Sequence, residues 1–108
     1  MAHYCVRAHL KPTQAAELLE ELTTGRIRQL KPEGTEIHRA LSQARVHGDG
    51  TVEWGEMCFC ATPLDHERQT VLDRFFDGLT TREVEGPHEP MGARPLPDVL
   101  AELAGRAR

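Results

Sequence analysis

The hydrophobic and polar positions of this chain change period several times, and each change marks an element. Over residues 3–10, Tyr4, Val6, Ala8 and Leu10 alternate with His3, Cys5, Arg7 and His9. A period of two predicts a strand, which Lys11-Pro12 ends. From Thr13, read as an N-cap, the period lengthens. Ala15, Leu18, Leu19 and Leu22 form a helical stripe that Gly25 closes. Ile27 and Leu30 suit a short docking turn before the loop Pro32-Glu33-Gly34. A second strand is predicted from about Ile37 to His47. It places Ala40, Ser42, Ala44 and Val46 on one face and Leu41, Gln43 and Arg45 on the other, against the weak strand preference of Ala and Gln. Asp49-Gly50 reads as a tight two-residue hairpin turn. The third strand then runs from about Val52 to Ala61, with Trp54, Glu56, Cys58 and Cys60 on one face and Gly55, Met57, Phe59 and Ala61 on the other.

Thr62-Pro63-Leu64-Asp65 is a helix start, with Thr62 as N-cap and an acid near the positive end of the dipole. Leu64, Val71, Leu72, Phe75 and Leu79 form the stripe of this second helix, with Gly78 near its end. Thr80 to Glu85 suits a fourth strand. Residues 86–95 read as an irregular linker, and Pro97 to about Ala104 as a short helix able to dock Val99, Leu100 and Leu103. The resulting order, β-α-β-β-α-β, predicts an α+β fold of ferredoxin-like type: an antiparallel sheet with helices on one face, plus a short C-terminal helix. Residues 1–85 are expected to form the domain, and residues 86–108 the linker and terminal helix.

The face carrying Tyr4, Val6, Ala8, Leu10, Met57 and Phe59 is the expected core face. The opposite, open face is then expected to carry His3, Cys5, Arg7 and His9 with Trp54, Glu56, Cys58 and Cys60. A two-residue turn sets Arg45 opposite Trp54, Gln43 opposite Glu56 and Leu41 opposite Cys58. A register slip of one residue would overturn that set. A face mixing thiols, Trp and Leu with His, Arg and Glu suits a covered surface. In element order and size, residues 3–85 resemble the dimeric α+β barrel proteins, among them antibiotic-biosynthesis monooxygenases, muconolactone isomerases and YCII-like proteins. The resemblance implies two subunits packed sheet to sheet around a cavity. It carries over no catalytic residue.

Composition narrows the function classes. The chain has 108 residues and a net charge of −4. Phosphate affinity rests on clustered Lys and Arg, so nucleic-acid binding is not expected. No apolar run approaches a bilayer span, and the first residues lack the pattern of a signal peptide, so no membrane is expected and a cytoplasmic location is. The three cysteines then read as reduced thiols.

The candidate chemistry lies on the expected open face. Glu56, desolvated beside Trp54, and His9 are candidate general acid/base groups, against ion pairing for Glu56 and a structural role for His9. Arg7, Gln43, Arg45 and Trp54 are candidate ligand-binding residues, the arginines suiting a carboxylate or phosphate. The expected function is a cofactor-independent enzyme, or a binding protein, for a small organic ligand in a cavity behind the sheet of a homodimer. A second reading makes Cys5, Cys58 and Cys60 a metal or redox module, against thiols that merely fill space. A third makes the open face a non-catalytic assembly surface.

Overall fold

The computed structural model describes residues 2–58, 62 and 64–106. Its strands β1 (Ala2–Leu10), β2 (Arg45–Val46), β3 (Thr51–Cys58), β4 (Phe76–Val84) and β5 (Arg94–Pro95) pair antiparallel in the order β4-β1-β3-β2-β5. Strand β1 (Ala2–Leu10) has the alternation that its sequence predicts, and it lies between β3 (Thr51–Cys58) and β4 (Phe76–Val84). After a 3-10 turn at Pro12–Gln14 comes helix α1 (Ala15–Thr24), which buries Ala15, Leu18 and Leu22 and ends at Gly25. Thr13 lies inside that turn and is not the cap; Gln14 holds the N-cap position without a side-chain capping bond.

The expected second strand is mostly a helix. Residues Gly34–Ser42 form α2, and only Arg45–Val46 pair as strand β2. Ile37, Ala40 and Leu41 are buried at helical spacing, while Glu36 and Arg39 pair one turn apart. Alanine, leucine and arginine favour a helix, and this preference agrees with the buried stripe.

The turn also differs by one residue. His47 N–H donates to Thr51 O at 2.8 Å, and Gly50 N–H to His47 O at 2.9 Å. Gly48, Asp49 and Gly50 therefore form a three-residue loop, with Gly50 at φ 92° supplying the left-handed position that such a loop needs. Arg45 consequently faces Glu53, not Trp54. Trp54 pairs with Val6 and Glu56 with Tyr4, so Trp54, Glu56 and Cys58 share the core face with Tyr4, Val6 and Ala8. Gly55 and Met57 move to the other face. The largest side chain of β3 takes the core and carries Glu56 in with it.

The second helix is broken into Asp65–Glu67 (α3), a π-helical turn at Arg68–Leu72 and Asp73–Phe75 (α4). Leu64, not Thr62, occupies the position before it. Leu72 and Phe75 are fully buried, as their stripe requires. Strand β4 begins at Phe76, earlier than expected. Gly78 and Leu79 therefore belong to the sheet, with Gly78 at the register shift opposite Arg7–His9. Trp54 packs on Phe76 with ring centroids 4.9 Å apart.

Helices α1, α2, α4 and the π turn all bury side chains in one cluster with the Tyr4–Val6–Trp54 face. Helix α5 (Leu96–Arg106) joins the same layer through Leu96 and Leu100, next to α1. It does not cover the open face. That task falls to residues 86–93, the supposed linker, which run across the sheet before β5 (Arg94–Pro95) pairs with β2. At Gly55 the approach is so close that an added Cβ would lie 2.2 Å from His88 O. No helix among the described residues is long and apolar enough to cross a membrane.

Candidate functional site

Strand β3 presents two glutamates three residues apart, one to each face of the sheet. Glu53 lies on the face crossed by residues 86–93 and is 1% exposed. Each of its oxygens has two partners. Oε1 accepts from Arg7 Nε at 3.1 Å and lies 3.0 Å from His47 Nε2. Oε2 accepts from Met91 N–H at 2.9 Å and lies 2.8 Å from His88 Nε2. Burial pushes this carboxyl up. Hydrogen bonds from His88, Met91 and His47 and the charge of Arg7 outweigh that effect and hold it at about 2. An ionised carboxylate only accepts, so both imidazoles present an Nε2–H to it. Glu53 thereby fastens the crossing segment to the sheet. Arg45 adds to the fastening by donating from Nε to Gly92 O at 2.9 Å.

Glu56 is also buried, but on the core face and with fewer partners. Trp54 Nε1–H donates to its Oε1 at 2.8 Å, while Oε2 has no hydrogen-bond partner among the described residues. Burial drives the carboxyl up to about 8. The negative charges of Glu67 and Glu36 add to this, and the Trp54 bond and Arg39 offset it only in part. At neutral pH Glu56 therefore holds its proton. Nearby, Cys58 Sγ lies 3.8 Å from Glu67 Oε2.

Beyond the two residues that pair with β2, β3 has no strand neighbour on that side among the described residues, and α2 takes its place. Glu36 Oε2 accepts from Met57 N–H at 2.8 Å, and Arg39 donates to Gly55 O at 3.1 Å. Arg39 is itself held by Glu36, at 2.7 and 2.8 Å, and by Gln43. A cleft of about 300 Å³ opens at this margin between α2 and the segment at Pro87–His88. Glu56, His88 and His3 line it with the Glu36–Arg39 pair, and Met57 and Pro87 provide apolar wall.

The expected site residues are dispersed by this geometry. Glu56 lines the cleft. His9 is exposed at the far end of β1, on the opposite face, opposite Thr51 and Asp77. Arg7 and Arg45 serve Glu53 and the crossing segment. Gln43 caps α2 and accepts from Arg39. Trp54 is a core residue and touches the site only through Glu56. Cys5 and Cys58, both buried, lie on opposite sheet faces, so they do not share a metal site; Cys60 lies outside the described residues. Sequence reasoning missed Glu53, His47, His88, Glu36 and Arg39. A three-residue reading of Gly48-Asp49-Gly50 would have set Glu53 opposite Arg45. For His88 the sequence offers no signal, since its place depends on the path of an irregular segment.

The chain matches no protein-family model, no curated protein and no solved structure among those compared.

Proposed function

We propose that the chain binds a small organic ligand at the β3–α2 cleft and that Glu56 acts there as a proton donor or acceptor. The observation that carries this reading is Glu56 itself: a residue bordering the cleft whose buried carboxyl has one oxygen on the Trp54 indole and the other, closed from solvent, without a hydrogen-bond partner among the described residues. A neutral carboxylic acid donates a hydrogen bond, so the fitting ligand offers an acceptor such as a carbonyl or carboxylate oxygen. Arg39 is already engaged by Glu36, Gln43 and Gly55, so it braces the cleft rather than pairing with a ligand. His88 and His3 stand where His9 was expected, as the imidazoles nearest Glu56's cleft. We read the β4-β1-β3-β2 part of the sheet as ferredoxin-like, a reading supported by its antiparallel order and one-sided helix layer. Sheet-to-sheet pairing of a homodimer has less support, because the Trp54 surface expected to drive it lies in the core.

Trp54 is the sole tryptophan and is bonded to Glu56, so its fluorescence reports the site directly. Titrating emission from pH 5 to 10 should show a transition near 8 that Glu56→Gln removes. Small carbonyl and carboxylate compounds that bind should perturb the same signal in the wild type and fail to do so in the variant. An emission profile that Glu56→Gln leaves unchanged would reject the assignment.

A further inference from the structure

A second cluster lies on the other face of β3, and neither Glu56 nor Arg39 takes part in it. Cys5 Sγ, a Glu53 carboxylate oxygen and a ring nitrogen of His88 all lie within 4.8 Å of one another. They come from three segments, β1, β3 and the strap formed by residues 86–93. Cross-strand pairing of Cys5 with Gly55 and of Arg7 with Glu53 puts Cys5 and Glu53 on neighbouring positions of one face. Gly55, lacking a side chain, lets the strap descend far enough to bring His88 to them.

We infer that Cys5, Glu53 and His88 form a binding site for a divalent zinc-like cation, with the fourth coordination position open. Thiolate, imidazole and carboxylate are a zinc donor set, and three protein ligands with an open position are the pattern of a reactive rather than a closed structural site. Donors of a tetrahedral zinc lie about 3.3–3.7 Å apart, given bond lengths of roughly 2.0–2.3 Å. A cation there takes the place of the His88–Glu53 hydrogen bond, 2.8 Å long, with the ring proton of His88 moving to the nitrogen that does not ligate.

Charge also fits. A thiolate and a carboxylate neutralise the dication, so Arg7 and Arg82 face an uncharged centre. Binding releases the Cys5 proton to solvent. The outer shell is already built: Arg7 and His47 hold Glu53 Oε1, and the Met91 amide holds Oε2. Access runs along a groove of about 290 Å³ where Cys5 lies with Arg7, Thr80, Thr81 and Arg82. The cationic walls favour an anion, hydroxide or a carboxylate, at the open position.

The test is titration of the full chain with Co(II), followed by displacement with Zn(II). A thiolate-to-cobalt charge-transfer band in the near ultraviolet is expected, with visible bands of four-coordinate intensity. Cys5→Ser should remove the charge-transfer band. His88→Gln, which keeps the side chain's size and polarity, should weaken zinc binding more than about tenfold in competition with a chromophoric chelator. Cys58→Ser should leave both unchanged. Zinc should also protect Cys5 from alkylation by iodoacetamide. The inference is overturned if no charge-transfer band forms, if the band survives Cys5→Ser, or if it disappears in Cys58→Ser. Alkylation of Cys5 at the same rate with and without zinc would show a plain thiol–imidazole pair instead.

Discussion

Glu53 and Glu56 occupy the same strand, three positions apart, and both are closed from solvent, yet they hold opposite charge states. Glu53 is met by a guanidinium, two imidazoles and a backbone amide, and stays ionised. Glu56 has an indole N–H and two other carboxylates for company, and stays protonated. Burial alone therefore predicts neither state. The donors that reach the carboxylate decide it together with depth, since Glu53 lies under a single strap and Glu56 within the core. The same strand thus carries a fastener on one face and a proton store on the other.

The largest effect should come from Glu53→Ala. It strands Arg7, His47, His88 and the Met91 amide around an empty position, and should cost about 3–5 kcal/mol by denaturant midpoint, the cost of breaking a buried charge network from one side. The wild type should also lose stability in acid. The Glu53 pKa is depressed in the folded state, so its contribution is complete above about 4.5 and is lost as pH falls towards about 2. The Glu53→Ala variant should lack that acid limb; an unchanged limb would show that Glu53 is not the fastener.

Gly55→Ala should have an intermediate effect. Its Cβ would meet His88 O, so the strap must lift, at a cost of roughly 1–3 kcal/mol. Hydrogen exchange of the Met91 amide should accelerate with little change elsewhere in the sheet. Protection equal to that of the wild type would mean the strap does not depend on Gly55.

At pH 5, Glu56→Gln should be the smallest change of the three, and its pH dependence is the most diagnostic. A carboxyl whose folded pKa is raised supports stability fully below about 4.5 and loses it as pH rises to about 8. Wild-type stability should therefore decline across that window, while the variant, which cannot ionise, stays flat. The two should be close at pH 5 and cross in favour of the variant at pH 9. Parallel curves would break the contrast between the two glutamates.

Parts of this arrangement were legible in the chain. The alternation at Tyr4–Leu10, the α1 stripe and the buried Leu72 and Phe75 follow from local periodicity. Residues 37–42 read as strand because Ala40, Ser42, Ala44 and Val46 also fit a period of two, and only the spacing of Ile37, Ala40 and Leu41 separates the alternatives. The face of Trp54 turned on one residue in the hairpin loop, since a slip of one inverts every side chain. Glu56 could be picked out as an unusual acid in an apolar strand. Trp54 beside it could be picked out too, but not Glu36 and Arg39, which come from α2, nor His88, whose segment follows a path set by tertiary contacts.

The bonds from Glu36 and Arg39 to the backbone of β3 have a further consequence. An unpaired strand margin is a template on which another extended chain can add, and repeated addition builds aggregates. Here two helix side chains fill the places a strand would take. At the opposite margin, β4 relies on the Gly78 irregularity and on Asp77, Arg82 and Glu83. The margin of β3 beyond β2 and the outer edge at β4 are thus protected by different means. Loosening α2 frees the Gly55 carbonyl and the Met57 amide, the groups on which another extended chain would pair.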